Sequence, residues 1–340
     1  EFRSHPAWQR LLVMAGGVLN NFIFAILSYT MILAIWGQSY IDNSTSEIYV
    51  NDTAYEMGFR TGDRILKLDD YVPENFAMLQ ADLARREVST ATVLRGTDTV
   101  ELYIDRAMIS EVLNSQLMFD LAVPFVIDSV MATGPNAGTS LKRGDRLVSI
   151  NGEKVEFLQD ARPVLEGLKG SEVTLGVVRG EDTLTMEAQV DSSGRLGLSI
   201  MSPGIKTRKY NILSAVPAGF KMTGSTIGGY LKDLRLLATP STGAYKSVGS
   251  FIAIGEVFPS TWDWYQFLSI TALLSIMLAV MNLIPIPGLD GGHILFVLYE
   301  MISRRKPSDK FLMIAQMIGM LLLFALMFLA LGNDIGRLFR

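Results

Sequence analysis

Asp290 carries the most chemistry in this sequence. It lies in the run Asn282-Leu283-Ile284-Pro285-Ile286-Pro287-Gly288-Leu289-Asp290-Gly291-Gly292-His293, inside an apolar stretch long enough to cross a bilayer. A carboxylate at the centre of a spanning helix costs about 2.5–3.5 kcal/mol on insertion scales, so one kept at that depth marks a functional site. Two prolines and three glycines deny the stretch a regular helix. Non-helical backbone at membrane depth survives only where protein buries it or where it lines a cavity. An acid beside bent, polar backbone in a membrane is what water-dependent chemistry on a membrane substrate needs.

Asp290 is also a hard oxygen donor. With two histidines it would complete a zinc site whose fourth position is open to water, and bound zinc activates that water and polarises a carbonyl. The sequence holds only two histidines. His293 follows Asp290 by three residues, so on a helix the two share a face. His5 lies in the polar leader before the first apolar run. These residues alone do not assemble three ligands, and with no cysteine in the chain thiolate sites are excluded.

The elements that must position Asp290 are apolar helices. Hydrophobic residues make up 49% and charged residues 19%, with the apolar ones gathered at the two ends. Residues 11–36 carry no charge, 267–299 are broken only by the Asn/Pro/Gly/Asp segment, and 311–331 are again uncharged. Each meets the ~20 residues a spanning helix needs. Three crossings put the termini on opposite sides. Arg3 and Arg10 precede the first run, and Arg304, Arg305, Lys306 and Lys310 fill the loop between the second and third. Positive charge stays inside, so both regions are expected in the cytoplasm and residues 38–260 outside it. With a net charge of −4 and no basic patch, nothing points to nucleic acid. The sequence opens on Glu1 and its first run lacks a signal-peptide layout, so it reads as a piece of a longer protein.

The middle region is a repeat. Gly58-Phe59-Arg60-Thr61-Gly62-Asp63-Arg64-Ile65-Leu66-Lys67-Leu68-Asp69-Asp70 matches Ser140-Leu141-Lys142-Arg143-Gly144-Asp145-Arg146-Leu147-Val148-Ser149-Ile150-Asn151-Gly152 at a shift of 82 residues. Val93-Leu94-Arg95-Gly96 matches Val177-Val178-Arg179-Gly180 at a shift of 84. Gly-Asp turns leading into short apolar strands predict two copies of one small β-rich domain. Ile65 and Leu68, and Leu147 and Ile150, are expected to face a core. Residues 79–86 and 160–168 have helical spacing. Residues 211–238 also have it, with charges interspersed, and are expected to lie on the outer membrane face. Residues 248–258 are too short to span and are expected to pack against the last spans.

The repeat resembles the PDZ domain, whose core reads Gly-Leu-x-x-Gly-Asp-x-Ile-x-x-Val-Asn-Gly; the second copy keeps Asn151-Gly152 and the first has Asp69-Asp70. PDZ domains take extended peptides along a sheet edge, and by position the capture loops fall near residues 38–41 and 119–123. Asn282-x-x-Pro285-x-x-x-x-Asp290-Gly291 is similar to the Asn-x-x-Pro-x-x-x-x-Asp-Gly motif of the site-2 protease family, the intramembrane zinc metalloproteases. Gly17-Val18-Leu19-Asn20-Asn21-Phe22 resembles the family's Gly-x-x-x-Asn-Phe segment. A tandem PDZ insertion is similar to the bacterial proteases that clip anti-sigma factors.

The resemblance implies a multi-pass α-helical membrane protein of the bacterial inner membrane with two inserted β-rich (α+β) PDZ domains. It implies Zn2+ as cofactor, with Asp290 as the third zinc ligand, and a single-span, anti-sigma-factor-like membrane protein as substrate. Asn282 would hold substrate backbone or the developing oxyanion. Pro285, Pro287, Gly288 and Gly291 would keep the segment unwound for an extended substrate, and Asn21 would help bind it. The family's other two ligands and its catalytic glutamate come from His-Glu-x-x-His, which this sequence does not contain; a preceding helix is expected to supply it. The domain layout expected is a leader and first span over 1–37, PDZ-like domains over 38–108 and 117–192, and a membrane-surface segment over 193–263. The Asp290 segment then covers 264–303, and a basic loop with the last span covers 304–340. A non-catalytic membrane scaffold that binds peptide tails is the alternative, and a transporter built on broken helices would need inverted repeats that the three spans do not display.

Overall fold

The computed structural model describes residues 5–338 apart from 116, 202, 203 and 306. Arg3 and Lys306, used above to orient the chain, lie outside the described residues. Helix α1 (Ala7–Ile35) is followed by strand β1 (Gln38–Ile41). The first copy of the repeat then runs β2 (Ile48–Val50), α2 (Asp52–Glu56), β3 (Arg64–Leu68), α3 (Leu79–Arg85), β4 (Thr90–Arg95), β5 (Asp98–Tyr103), α4 (Ile109–Asn114) and β6 (Phe119–Leu121). The second runs β7 (Ile127–Val130), β8 (Arg146–Ile150), β9 (Glu153–Lys154), α5 (Leu158–Gly167), β10 (Glu172–Arg179), β11 (Asp182–Gln189) and β12 (Leu198–Ile200). Strand β13 (Ile205–Arg208), which pairs with β1, leads to α6 (Ile212–Ala238), α7 (Phe251–Glu256), α8 (Trp264–Leu283), α9 (Asp290–Ser303) and α10 (Asp309–Leu338).

The chain divides into two compact units, residues 40–206 and the helical segments that flank them in sequence. Among the described residues three helices are long and apolar enough to cross a membrane: α1, α8 and residues Asp309–Gly336 of α10. The protein is a multi-pass helical membrane protein with a β-rich insertion.

In the β-rich unit the two copies share their strand pairing. β3 pairs with β4 and β4 with β5; β8 pairs with β10 and β10 with β11. Ile65, Leu68, Leu147 and Ile150 are all buried. Residues three apart reach one face of a strand because each carries a one-residue bulge. Ile65 faces Val93 while Lys67 faces Thr92, and Leu147 faces Val177 while Ser149 faces Gly176. The extra residue shifts the alternation by one. Asp69 and Asn151 both adopt the left-handed conformation, at φ 50° each. Their side chains accept from Thr90 N (2.9 Å) and Thr174 N (2.8 Å) respectively, so Asp69 replaces the asparagine without loss of the turn.

The repeat register assigned residues 119–121 to the second copy. The structure pairs them with the first: Ile48 faces Leu121, as Ile127 faces Ile200 in the second copy, and Phe119 packs edge-on to Phe59 with ring centroids 5.0 Å apart. The second copy accordingly extends through β12. Within this unit the copies meet through Tyr49, whose hydroxyl donates to Asp160 (2.9 Å). Burial and then that carboxylate push the Tyr49 hydroxyl up to about 12.

In the helical unit α1 packs on α6, α8 and α9. Ala25, Tyr29 and Ile32 of α1 meet Ala272, Ile276 and Val280 of α8, joined by Met222, Ile227 and Tyr230 of α6. Gly219 lets α6 approach the Thr30 backbone, since a Cβ there would lie 3.0 Å from Thr30 N. Residues 211–238 therefore form a helix packed into the bundle. Asn333 and Asp334 near the end of α10 hold the start of α7: Asn333 Nδ2 donates to Val248 O (3.1 Å) and Asp334 Oδ2 accepts from Ser250 N (2.8 Å).

Candidate active site

The apolar run 267–299 is not one helix. α8 ends at Leu283, and Ile284 is already extended at φ −63°, ψ 133°, as the residue before a proline must be to avoid its ring. Ile286-Pro287-Gly288-Leu289 then makes a β-turn, with Leu289 N donating to Ile286 O at 3.1 Å. Gly288 has φ 105°. Proline at the second position and glycine with positive φ at the third are the type II signature. Leu289 is extended and α9 starts at Asp290, in the first turn, where a negative side chain meets the helix dipole favourably.

Two glycines fold this turn onto α9. A Cβ on Gly291 would lie 2.7 Å from Asn282 O, and one on Gly292 would lie 2.6 Å from Ile286 O. The backbone of Asn282 thus meets the residue after Asp290, and the two ends of the loop come together. Asn282, Pro287, Asp290 and Gly291 form one cluster, with Asp290 and Pro285 exposed and Asn282 half-buried. Asn21 stands apart from it. Its carbonyl accepts from Ser275 Oγ (3.1 Å), and Ser275 precedes Asn282 by seven residues, about 10 Å along α8. Gly17 has nothing among the described residues within 4 Å of a Cβ placed there.

Arg10 and Glu300 were not singled out as a pair by sequence. Arg10 Nη2 donates to Glu300 at 2.7 Å, with both side chains largely buried, and this ties α1 to α9. His293 shares a cavity of about 310 Å³ with that pair, Met14 and Phe296. Asp290 does not line this cavity. Among the described residues no three of His, Cys, Asp and Glu gather as a metal site would need. Asp290 can fill one place in a zinc site, and these residues do not fill the others.

In the β-rich unit the sequence placed peptide-capture loops near 38–41 and 119–123. Strand β1 is instead paired with β13 and β6 with β2. A glycine-bearing loop that the sequence reading missed precedes β12: Leu196-Gly197-Leu198. Gly197 has φ 66°, and a Cβ there would lie 2.7 Å from Pro135 Cδ. The loop packs near α5, since a Cβ on Gly194 would lie 3.3 Å from Glu166 Cα.

The family model described as peptidase family M50 matches residues 1–326. The regulator of sigma E protease of Haemophilus influenzae is 27% identical over 361 residues, covering 99% of this chain and 80% of that protein. A protein named "Putative zinc metalloprotease" from Xylella fastidiosa is 26% identical over 365 residues, covering 98% of this chain and 80% of its own length. The solved PDZ domain of an SdrC-like protein from Listeria monocytogenes aligns with 25% of this chain and 93% of its own, at 20% identity and a TM-score of 0.21.

Proposed function

The chain belongs to peptidase family M50, and from that premise we propose that it is the Asp-bearing part of an intramembrane zinc endopeptidase. Its substrates would be single-span membrane proteins of the anti-sigma-factor kind, cut in the bacterial inner membrane with the β-rich unit on the extracytoplasmic side. The observation that carries this reading is the break at 284–289, which presents the Asp290 carboxylate at the start of α9 directly after a type II turn.

In this reading Asp290 is one zinc ligand. The other ligands and the general base come from a His-Glu-x-x-His helix outside these 340 residues. Asn282, at the last turn of α8, positions substrate backbone or the oxyanion, where a donor is most effective because charge develops there. Pro285, Pro287 and Gly291 hold the loop non-helical, so an extended substrate can lie along it. An extended form is required because a helix hides its peptide bonds behind its own hydrogen bonds. Asn21 contacts substrate further along α8. The β-rich unit takes the trimmed tail by edge addition. Among the described residues β12 pairs only with β7, which leaves it an edge to offer.

The test is zinc content and cleavage of a single-span substrate by the complete membrane protein, with Asp290→Asn alongside. Loss of a direct ligand should cost at least the ~10–100-fold that outer-shell partners cost, in both retained metal and rate. Unchanged zinc and cleavage in the variant would remove Asp290 from the site. A complete protein that binds no zinc and cuts nothing would favour the peptide-binding scaffold.

A further inference from the structure

Helix α10 carries glycine at 319, 332 and 336. Glycine is the poorest helix former after proline, so each interior one calls for a packing reason. At Gly332 and Gly336 an added Cβ would meet nothing within 4 Å among the described residues. At Gly319 it would fall on the carbonyl oxygen of Pro287 and lie 3.1 Å from Pro287 Cα. The fit is reciprocal. A Cβ on Gly288 would lie 3.5 Å from both Gly319 C and Met320 N, and 3.8 Å from Gln316 O. The opposite side of the turn rests on α9, where a Cβ on Gly292 would lie 2.7 Å from Pro287 Cα. The Pro287-Gly288 turn is therefore clamped between two missing side chains, one on each neighbouring helix.

We propose that Gly319 is a positioning residue for the reaction: the notch it leaves on α10 seats the Pro287-Gly288 turn, and through that turn sets where Asp290 is presented. This rests on the reading of Asp290 as a site residue. Gly292 is two residues from Asp290 and moves with it. Gly319 belongs to a separate helix, so it is the fixed reference against which the loop is set. A side chain at 319 would lift the turn off α10, whereas one at 332 would touch nothing.

These 340 residues hold no cysteine, so only cysteines in the rest of the complete protein are first replaced by serine to leave single reporters. In membranes holding the complete protein, Leu289→Cys would be alkylated with a maleimide in the parent, in Gly319→Ala and in Gly332→Ala. The expected result is at least a tenfold change in alkylation rate for Gly319→Ala and none for Gly332→Ala, with kcat falling at least tenfold for Gly319→Ala while KM holds. Equal alkylation in all three overturns the proposal, as does altered alkylation with kcat intact. Altered alkylation beside a parent that cuts nothing leaves the seat standing and sinks the protease reading instead. If Gly319→Ala is not recovered from membranes, Pro287→Cys with Met320→Cys decides the matter. A disulfide formed on mild oxidation places the turn on α10, and no cross-link overturns it.

Discussion

The two copies of the β-rich repeat are held by the same device and closed by different ones. Asp63 is buried and takes Arg95 through two bonds (2.8 and 2.7 Å), while accepting from Arg60 N (2.9 Å). Asp145 does the same with Arg179 (2.7 and 2.7 Å) and Lys142 N (2.8 Å). In each copy the arginine also donates to a backbone carbonyl, Gly58 O or Ser140 O, at 2.9 Å. The Gly-Asp turn is thereby stitched to the strand that ends in Arg-Gly. The return to the last strand is where the copies part. In the second, residues 191–197 form a tight turn capped by Asp191 and pinned by buried Asn136, which donates to Gln189 O and Leu196 O. In the first, residues 105–118 are longer and carry α4, with Ile109 and Val112 buried. Gln80 of α3 donates to Val112 O (2.9 Å) and Ser115 O (2.8 Å) and accepts from Met118 N (3.0 Å). Further along, Gln159 of the second copy donates to Leu121 O (2.7 Å). The first copy's last strand thus has bonding groups at both ends already taken, so the two copies are not equivalent places to add a peptide strand.

The largest way to break this contrast is Gln80→Ala. It removes three hydrogen bonds at partly buried backbone, and at about 1 kcal/mol each it should destabilise α4 and β6 by roughly 3 kcal/mol. Hydrogen exchange of residues 109–121 should speed up by about two orders of magnitude, while residues 191–200 keep their protection. Equal loosening of both closures would mean Gln80 acts on the whole unit. Next in size, Asp63→Asn and Asp145→Asn should each cost about 2 kcal/mol, the range for hydrogen bonds to charged groups. The losses should match across the copies, read as the exchange of β3–β4 or β8–β10 amides. Unequal losses would show that the shared ion pair does not do equal work.

The parts of this comparison that were legible in sequence are the local ones. The Gly-Asp turn and the Asn151-Gly152 turn are carried by neighbouring residues whose backbone needs dictate their types. The break before Asp290 was legible for the same reason, since Pro285, Pro287 and Gly288 forbid helix one residue at a time. What was not legible depends on distant partners. Strands β6 and β12 are three residues each, too short for any period to register, and both pair with strands about seventy residues earlier. The packing of α6 against α1 turns on Gly219 meeting Thr30, and the seat at Gly319 on its meeting Pro287. In sequence either glycine reads only as a small residue in a helix. Partners for Asp290 in a metal site were not legible because His5 lies in the leader before the first apolar run and no His-Glu-x-x-His occurs in the sequence.

The smallest effect expected is the pH dependence of the second copy's ion pair. The Arg179 guanidinium holds the Asp145 carboxyl below the usual carboxylate range, with Lys142 N–H adding to it. A depressed folded value means that the unfolded chain takes up a proton first as pH falls. The pair's contribution is therefore complete above the ordinary aspartate value of about 3.9, and is lost only as pH drops below that and through the lowered folded value. The unfolding free energy of the β8–β10 region, from exchange or denaturant, should be flat in this respect from pH 8 to about 5 and fall below about 4. Asp145→Asn should start lower and lack the part of the slope that Asp145 supplies. If the variant falls as steeply as the parent below pH 4, the acid sensitivity belongs to other carboxylates, and the ion pair the two copies share is a geometric tie more than an electrostatic one.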